Sequence, residues 1–281
     1  MNKNTMFFVN QFRYKSLVPL IIQKTNITNK KILDFGCGRG QSTFALALEG
    51  GICDGIDISK DHVLIAKKTR DEYFSQLPIN FNYLSQTKSL PYQDEHFDMV
   101  VCNAVFEHIH PKEREDHFAE IYRITKPGGQ IIIRGTPNRF FPKDGHTSEL
   151  WLVPWLPLTI AKYYVIFRNG AIKKSDELAK KKMGIKQKIN VIPTDEWFDR
   201  GIRGMALMDL NLWIDNNDLK LKLLNFDNKS EIDRYVDNSP TWGKKKVFIL
   251  IIRLVGKILD TLCISYHNFS PYLNLIYKRQ G

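Results

Sequence analysis

The sequence predicts a doubly wound α/β fold: a seven-stranded sheet, mostly parallel, with an antiparallel C-terminal strand and an inserted substrate-side segment. Three observations predict it. Between Lys30 and Gly135, short apolar runs alternate with helical patterns, the rhythm of a parallel sheet covered by helices. The run Phe97-Asp98-Met99-Val100-Val101-Cys102 is nearly all apolar, as a strand buried on both faces must be. A glycine-rich turn, Gly36-Cys37-Gly38-Arg39-Gly40, stands between the first apolar run and an Ala/Leu-rich helical stretch.

Taken in order, Ile32–Phe35 reads as the first strand and Gln41–Glu49 as a helix. Ile52–Ile56 is the second strand, and Ser59 caps a helix reaching about Phe74. Ile79–Leu84 and Phe97–Cys102 are the third and fourth strands. Pro111 opens a helix to Ile124, with Glu113, Glu115 and Asp116 in its early turns, where carboxylates suit the helix dipole. Lys126-Pro127-Gly128-Gly129 reads as a turn before a fifth strand at Ile131–Ile133. Beyond Gly135 the rhythm breaks. Residues 137–192 hold prolines, aromatics and lysines without a strand pattern and read as an insert. A long helix follows from Thr194, then strands at Leu219–Phe226 and Pro271–Lys278, with a very apolar helix at Val247–Cys263 between them. The chain is expected to form one domain over 1–281, with a core at about 20–136, the insert at about 137–192 and C-terminal elements at 193–281.

Composition narrows the function. At 281 residues and 43% apolar content, the chain can bury a substantial core. The net charge is +11, and residues 137–192 carry 11 Lys and Arg against 4 Asp and Glu. A local basic excess suits phosphate groups or an anionic membrane, and equally a solvated lysine face. The cysteines Cys37, Cys53, Cys102 and Cys263 form no CxxC pair, which argues against a structural zinc site and for reduced, cytosolic thiols. No metal-ligand spacing, signal peptide or spanning helix is legible. No separate nucleic-acid module stands out, so nucleic acid is not the expected partner.

The glycine loop becomes informative beside Asp57, in Gly55-Ile56-Asp57-Ile58-Ser59. This carboxylate ends the second strand 17 residues after Gly40 and can accept hydrogen bonds from both hydroxyls of a ribose. A dinucleotide fingerprint wants Gly or Ala three residues after the second glycine; Gln41 stands there, so NAD fits poorly.

Four segments in order, LDFGCGRG, GIDIS, SLPYQDEHFDMVVCNAVFEHI and ITKPGGQIII, resemble the class I S-adenosylmethionine-dependent methyltransferases, particularly the group holding the ubiquinone-biosynthesis methyltransferases. The resemblance covers about residues 30–135 and implies a Rossmann-like sheet, with S-adenosyl-L-methionine as cofactor. It implies that Asp34, Gly36, Gly38 and Gly40 surround the methionine part, that Asp57 holds the ribose, that Asn103 lies beside the methionine end, and that Cys37 and Ile58 also line the cofactor. The family's acid after the third strand is replaced by Gln86; with Thr87, its amide can still bond an adenine amino group.

A hydroxyl acceptor needs a base as well as positioning. The candidates are Glu107 and His108, just after the fourth strand, and His146 past the fifth. Against that, Glu107-His108 also reads as a hinge shaping the loop. The other histidines, His117 among them, read as surface or packing residues. The segment Gly135–Thr147, followed by Leu150–Pro157, resembles methyltransferases encoded among cell-surface glycan genes in its Thr-Pro-Asn-Arg start and its His-Thr…Trp-Leu-Pro run, implying a small-molecule or glycan acceptor; its plain alternative is a lid on the sheet. The alternatives carried are a lipid quinone head group as acceptor and a cofactor-binding protein without catalysis. Trp151 and Trp155 beside the lysines allow peripheral contact with an anionic membrane at its cytoplasmic face. The helix at 247–263 is expected to cover the sheet, buried over most of its surface.

Overall fold

A computed structural model describes residues 17–19, 21, 25–144, 148, 150–157, 159–168, 204–224, 254–255, 257–258, 261–262, 270 and 272–281. Strand β1 is Lys31–Phe35, followed by helix α1 (Gln41–Leu48), β2 (Ile52–Asp57), α2 (Lys60–Tyr73), β3 (Ile79–Tyr83) and β4 (Phe97–Asn103). Short 3-10 turns at Phe106–His108 and Pro111–Glu113 lead into α3 (Arg114–Ile124) and β5 (Thr125–Pro137). A helix at 159–168 is α4. A 3-10 turn at Val153–Trp155, helix α5 (Leu207–Asn216), β6 (Leu221–Leu223) and β7 (Tyr272–Arg279) follow, and residues 254–255, 257–258 and 261 are helical.

The seven strands lie in the order β3-β2-β1-β4-β5-β7-β6. Strands β1 to β5 pair in parallel, and β7 runs antiparallel to both β5 and β6. The chain starts in the middle, winds outward through β2 and β3, then crosses to β4. That reversal between β1 and β4 opens a crevice at the carboxyl ends of the strands, where ligands of doubly wound sheets bind.

Both faces of the sheet are covered, as alternation along the strands demands. Met99 and Val101 of β4 join Ile32, Phe44, Val63, Phe74 and Phe81 under α1 and α2. Val100 and Cys102 join Leu33, Phe118, Ile121, Leu210 and Tyr277 under α3 and α5. Each such fully buried Ile, Leu, Val or Phe contributes about 1.5–3 kcal/mol relative to exposure. Cys37, Cys53 and Cys102 are buried and free; Cys263 lies outside the described residues.

Several expectations need correction. The turn at Lys126–Gly129 is part of one long β5: Phe97 pairs Thr125 and Met99 pairs Gln130, so the extra residues form a bulge. Pro111 opens a 3-10 turn, with the α-helix starting at Arg114. The strand expected at Leu219–Phe226 spans Leu221–Leu223 among the described residues. The long helix expected from Thr194 does not run through: residues 204–206 are extended, with Met205 bridged to Asn138, and α5 starts only at Leu207, residues 194–203 lying outside the described residues. At 247–263, Leu254, Val255, Ile258 and Leu262 are exposed, against the expected burial. Helix α4 was not anticipated at all.

Candidate active site

The strands deliver their carboxyl ends to one edge, and the loop after β1 is built to leave that edge open. Gly36 N and Cys37 N both donate to Ile56 O (2.9 Å each), tying the loop to β2. Gly36, Gly38 and Gly40 have φ of +74°, +54° and +82°, in the left-handed region that penalises any Cβ. The three differ in what lies beside them. A Cβ on Gly36 would meet Val105 Cγ2 at 2.7 Å, and one on Gly40 would meet Phe81 Cζ at 2.7 Å. A Cβ on Gly38 would meet nothing within 4 Å. The loop is thus pinned from behind at its ends and open at its centre.

Asp57 ends β2 beside that opening. Its Oδ2 accepts from Gly38 N and its Oδ1 from Ser59 N, both at 2.8 Å. A carboxylate has about four lone-pair sites, so two bonds leave room for two ligand hydroxyls. His62 Nδ1 stands 3.9 Å from Oδ1. The next residue, Ile58, is 65% exposed, an apolar face at the mouth of the crevice. Ser59 caps α2 by accepting from His62 N (3.3 Å).

Asp34 and Asn103 sit beneath the loop. Asp34 is 1% exposed and accepts from Thr43 Oγ1 of α1 at 2.6 Å, so it anchors the helix under the glycines. Asn103 Nδ2 donates to Ser42 Oγ (3.0 Å), and its Oδ1 accepts from Arg134 Nη1 (2.9 Å). A polar line therefore runs from α1 across the end of β4 to β5. Cys37 is buried, which pushes its thiol well above the ordinary range and makes it an inert wall. Past β3, Gln86 folds back on Ser89, with two bonds of 3.4 Å between them. The Thr87 hydroxyl meets His117 Nε2 at 3.0 Å, and His117 Nδ1 lies 2.7 Å from Glu113 O. Since a carbonyl only accepts, Nδ1 donates to Glu113 O, which leaves Nε2 to face the Thr87 hydroxyl.

Of the three acid–base candidates, Glu107 lies fully inside the wall. Its Oε2 accepts from Thr136 Oγ1 at 3.2 Å, joining the turn after β4 to the end of β5. Burial is the main cause that pushes its carboxyl up to about 7, against the pull of Thr136 and Arg114. Neighbouring Arg114 is buried too, and donates to Ile109 O and Gly204 O. His108 is exposed on the same 3-10 turn. His146 lies outside the described residues, as does residue 169 onward in the basic insert up to 203.

The structure thus gathers the glycine loop, Asp57, Ile58 and Asn103 at the carboxyl edge of β2, β1 and β4. Gln86 and Thr87 follow the neighbouring β3, and Glu107 and His108 follow β4. Sequence reasoning missed Ser42 and Arg134; His117, read as a surface or packing residue, is buried against Phe35 and also meets Thr87. Ser42 carried a faint signal, as the second residue of the helix after the glycines. Arg134 is set opposite Asn103 only by strand register.

These residues fit S-adenosylmethionine on the geometry alone: an open glycine for the amino-acid end, a half-occupied carboxylate for the ribose, and an exposed apolar side chain for the base. Comparison with known proteins agrees. Residues 33–133 match the family described as a methyltransferase domain. The chain is 29% identical over 154 residues to the ubiquinone biosynthesis O-methyltransferase of Hydrogenovibrio crunogenus, covering 49% of this chain and 62% of the relative. It is 31% identical over 137 residues to the ubiquinone biosynthesis O-methyltransferase of Coxiella burnetii, covering 48% and 54%. The matched part is therefore little more than half the length of those relatives. The YcgJ protein of Bacillus subtilis shares the fold, with a TM-score of 0.50 at 16% identity over 95% of this chain and 98% of that one.

Proposed function

We propose that this chain, which belongs through residues 33–133 to the class I S-adenosylmethionine-dependent methyltransferases, O-methylates a small molecule or a sugar or glycan precursor. The observation that carries the reading is Asp57 tying down Gly38, with lone pairs to spare and an unobstructed glycine beside it. When bound, the cofactor supplies an electrophilic methyl group. The chain's residues hold and orient it: Asp57 accepts from the ribose hydroxyls, Ile58 lies against the base, and Gly38 leaves room for the amino-acid end. Asn103, fixed by Ser42 and Arg134, closes the floor beneath the methionine part. Gln86 and Thr87 border the adenine.

Rate then comes mainly from aligning acceptor and methyl group, which converts a bimolecular encounter into a positioned one. A hydroxyl acceptor must lose its proton; His146 and His108 are the bases in this reading, because an imidazole titrates near neutral pH. Glu107 works from inside the wall, holding the His108 turn against Thr136. A second reading, transfer to a lipid quinone head group, is favoured by the name the relatives share. The expected setting is the cytoplasm, with the inner face of an anionic membrane as a peripheral contact where the acceptor is lipid-linked. Among the described residues, no helix is long and apolar enough to cross a membrane.

The test is label transfer from methyl-labelled cofactor into two acceptor pools, nucleotide-linked sugars and catechol-type quinone head groups. Label in the first pool supports the first reading; label confined to the second establishes the alternative. No label in either, with the cofactor bound, contradicts both. On the accepted substrate, His108→Ala and His146→Ala are expected to lower kcat by roughly 10²–10⁴-fold where the histidine is the base.

A further inference from the structure

The segment from residue 150 to 168 forms a small unit with its own core, which Leu150 and Val153 make with Ala161 and Val165 of α4. What is unusual is its outer face. A surface helix ordinarily turns its polar residues outward. At about 100° per residue, Ile160, Tyr163, Ile166 and Phe167 fall on the arc of α4 opposite Ala161 and Val165, and all four are exposed, Tyr163 by 70% and Phe167 by 76%. The same unit exposes Trp151 by 54% and Trp155 by 57%. Trp155 keeps its indole N–H on Phe140 O (3.2 Å), so the ring is held outward by a bond rather than left to swing.

We infer that the outward face of residues 151–168 is a docking surface for an anionic lipid bilayer. Two features select this occupant. Cations accompany the rings: Lys162 and Arg168 are on α4 itself, and Lys143 is bridged to Trp151. In sequence, the stretch 137–192 carries 11 basic against 4 acidic residues, those of 169–192 lying outside the described residues. Centres of protein–protein interfaces are depleted in lysine, whereas an anionic bilayer takes cations over its phosphates and Trp and Tyr rings at its headgroup level. A second exposed apolar helical face, with Leu254, Ile258 and Leu262, has exposed Lys257 at its border and offers the same chemistry. The surface deepens the proposed function, since it would bring the site to a lipid-linked acceptor. Its binding requires neither cofactor nor acceptor, so its failure leaves the methyl-transfer reading standing.

The experiment is co-sedimentation of the full chain with phosphatidylglycerol-containing vesicles and with pure phosphatidylcholine vesicles, at low and high salt, beside size-exclusion chromatography without lipid. The inference expects pelleting with the anionic vesicles at low salt, release at high salt, and little pelleting with phosphatidylcholine. Tyr163→Ser/Phe167→Ser is expected to weaken vesicle binding at least tenfold, and Lys162→Glu/Arg168→Glu to remove its salt sensitivity. Both should leave binding of S-adenosylhomocysteine, and hence the fold, unchanged. Absence of pelleting overturns the inference, as does pelleting that the Tyr163/Phe167 variant leaves intact. A dimer that this variant dissolves would also overturn it, by showing that the face covers a second copy.

Discussion

The loop after β1 and the segment from 150 to 168 both leave side-chain space open to solvent, but for opposite reasons. At the loop, backbone bonds to Ile56, and Val105 and Phe81 packed behind, force the chain into a left-handed path whose open side carries no Cβ. At 150–168, the small core of Leu150, Val153, Ala161 and Val165 holds the backbone while bulky rings crowd the open side. One region is bare of side chains on its open side. The other has accumulated apolar ones that gain nothing from water. Openness of the first kind is specific and rigid; openness of the second kind asks for a broad apolar partner.

Substitution separates the two regions most sharply. Gly40→Ala combines a positive φ, costing roughly 1–2 kcal/mol, with overpacking against Phe81 and Phe44, roughly 1–3 kcal/mol more. A loss of about 2–5 kcal/mol in urea unfolding is expected. Phe167→Ala, a larger change in volume on an exposed site, should stay within about 0.5 kcal/mol. Comparable losses at both sites would erase the distinction.

Glu107 offers a subtler probe of the rigid region. Its carboxyl is pushed up to about 7 in the folded chain, against an ordinary value of 4.5. The folded state therefore holds this proton after the unfolded state has released it. Stability from this group is present below pH 4.5 and is lost as pH rises toward 7, by an amount of up to roughly 3 kcal/mol. Glu107→Gln keeps an acceptor for Thr136 and cannot ionise, so unfolding free energy measured from pH 4 to 8 should fall less steeply in the variant. Parallel profiles would mean that Glu107 is not the group responsible.

Much of the rigid region was legible in the sequence because its signals are local. Glycines at 36, 38 and 40 after an apolar run, and an acid at the end of the next strand, sit within one stretch of chain and need no knowledge of packing. Asn103 was legible as a strand end, but its partners were not: Ser42 and Arg134 reach it through helix placement and β-register, which composition does not encode. His117 resembled a packing residue, and it is buried; its bond to Thr87 depends on α3 lying over the loop after β3. Gly128 and Gly129 read as a turn, whereas β4, pairing at Thr125 and Gln130 on either side, draws them into a bulged strand, tertiary pairing overriding turn chemistry. In the other region, Trp151 and Trp155 were visible as residues, but α4 was hidden because its aromatic and β-branched residues favour helix weakly and its apolar positions lie on both faces.

The most direct test of the central claim is calorimetric titration of S-adenosylhomocysteine into the wild-type chain and Asp57→Ala. Removing the carboxylate strips the ribose hydroxyls of their acceptor and leaves Gly38 N–H and Ser59 N–H without theirs; with charged hydrogen bonds worth about 1.5–3 kcal/mol each, affinity should fall by about a hundredfold or more, and the thermal midpoint should drop while the chain stays folded at the titration temperature. Measurable binding by the wild type with that loss in the variant is the predicted result. A folded wild-type chain that does not bind, or a variant that binds equally well, would contradict the placement of the cofactor at the carboxyl ends of β1 and β2.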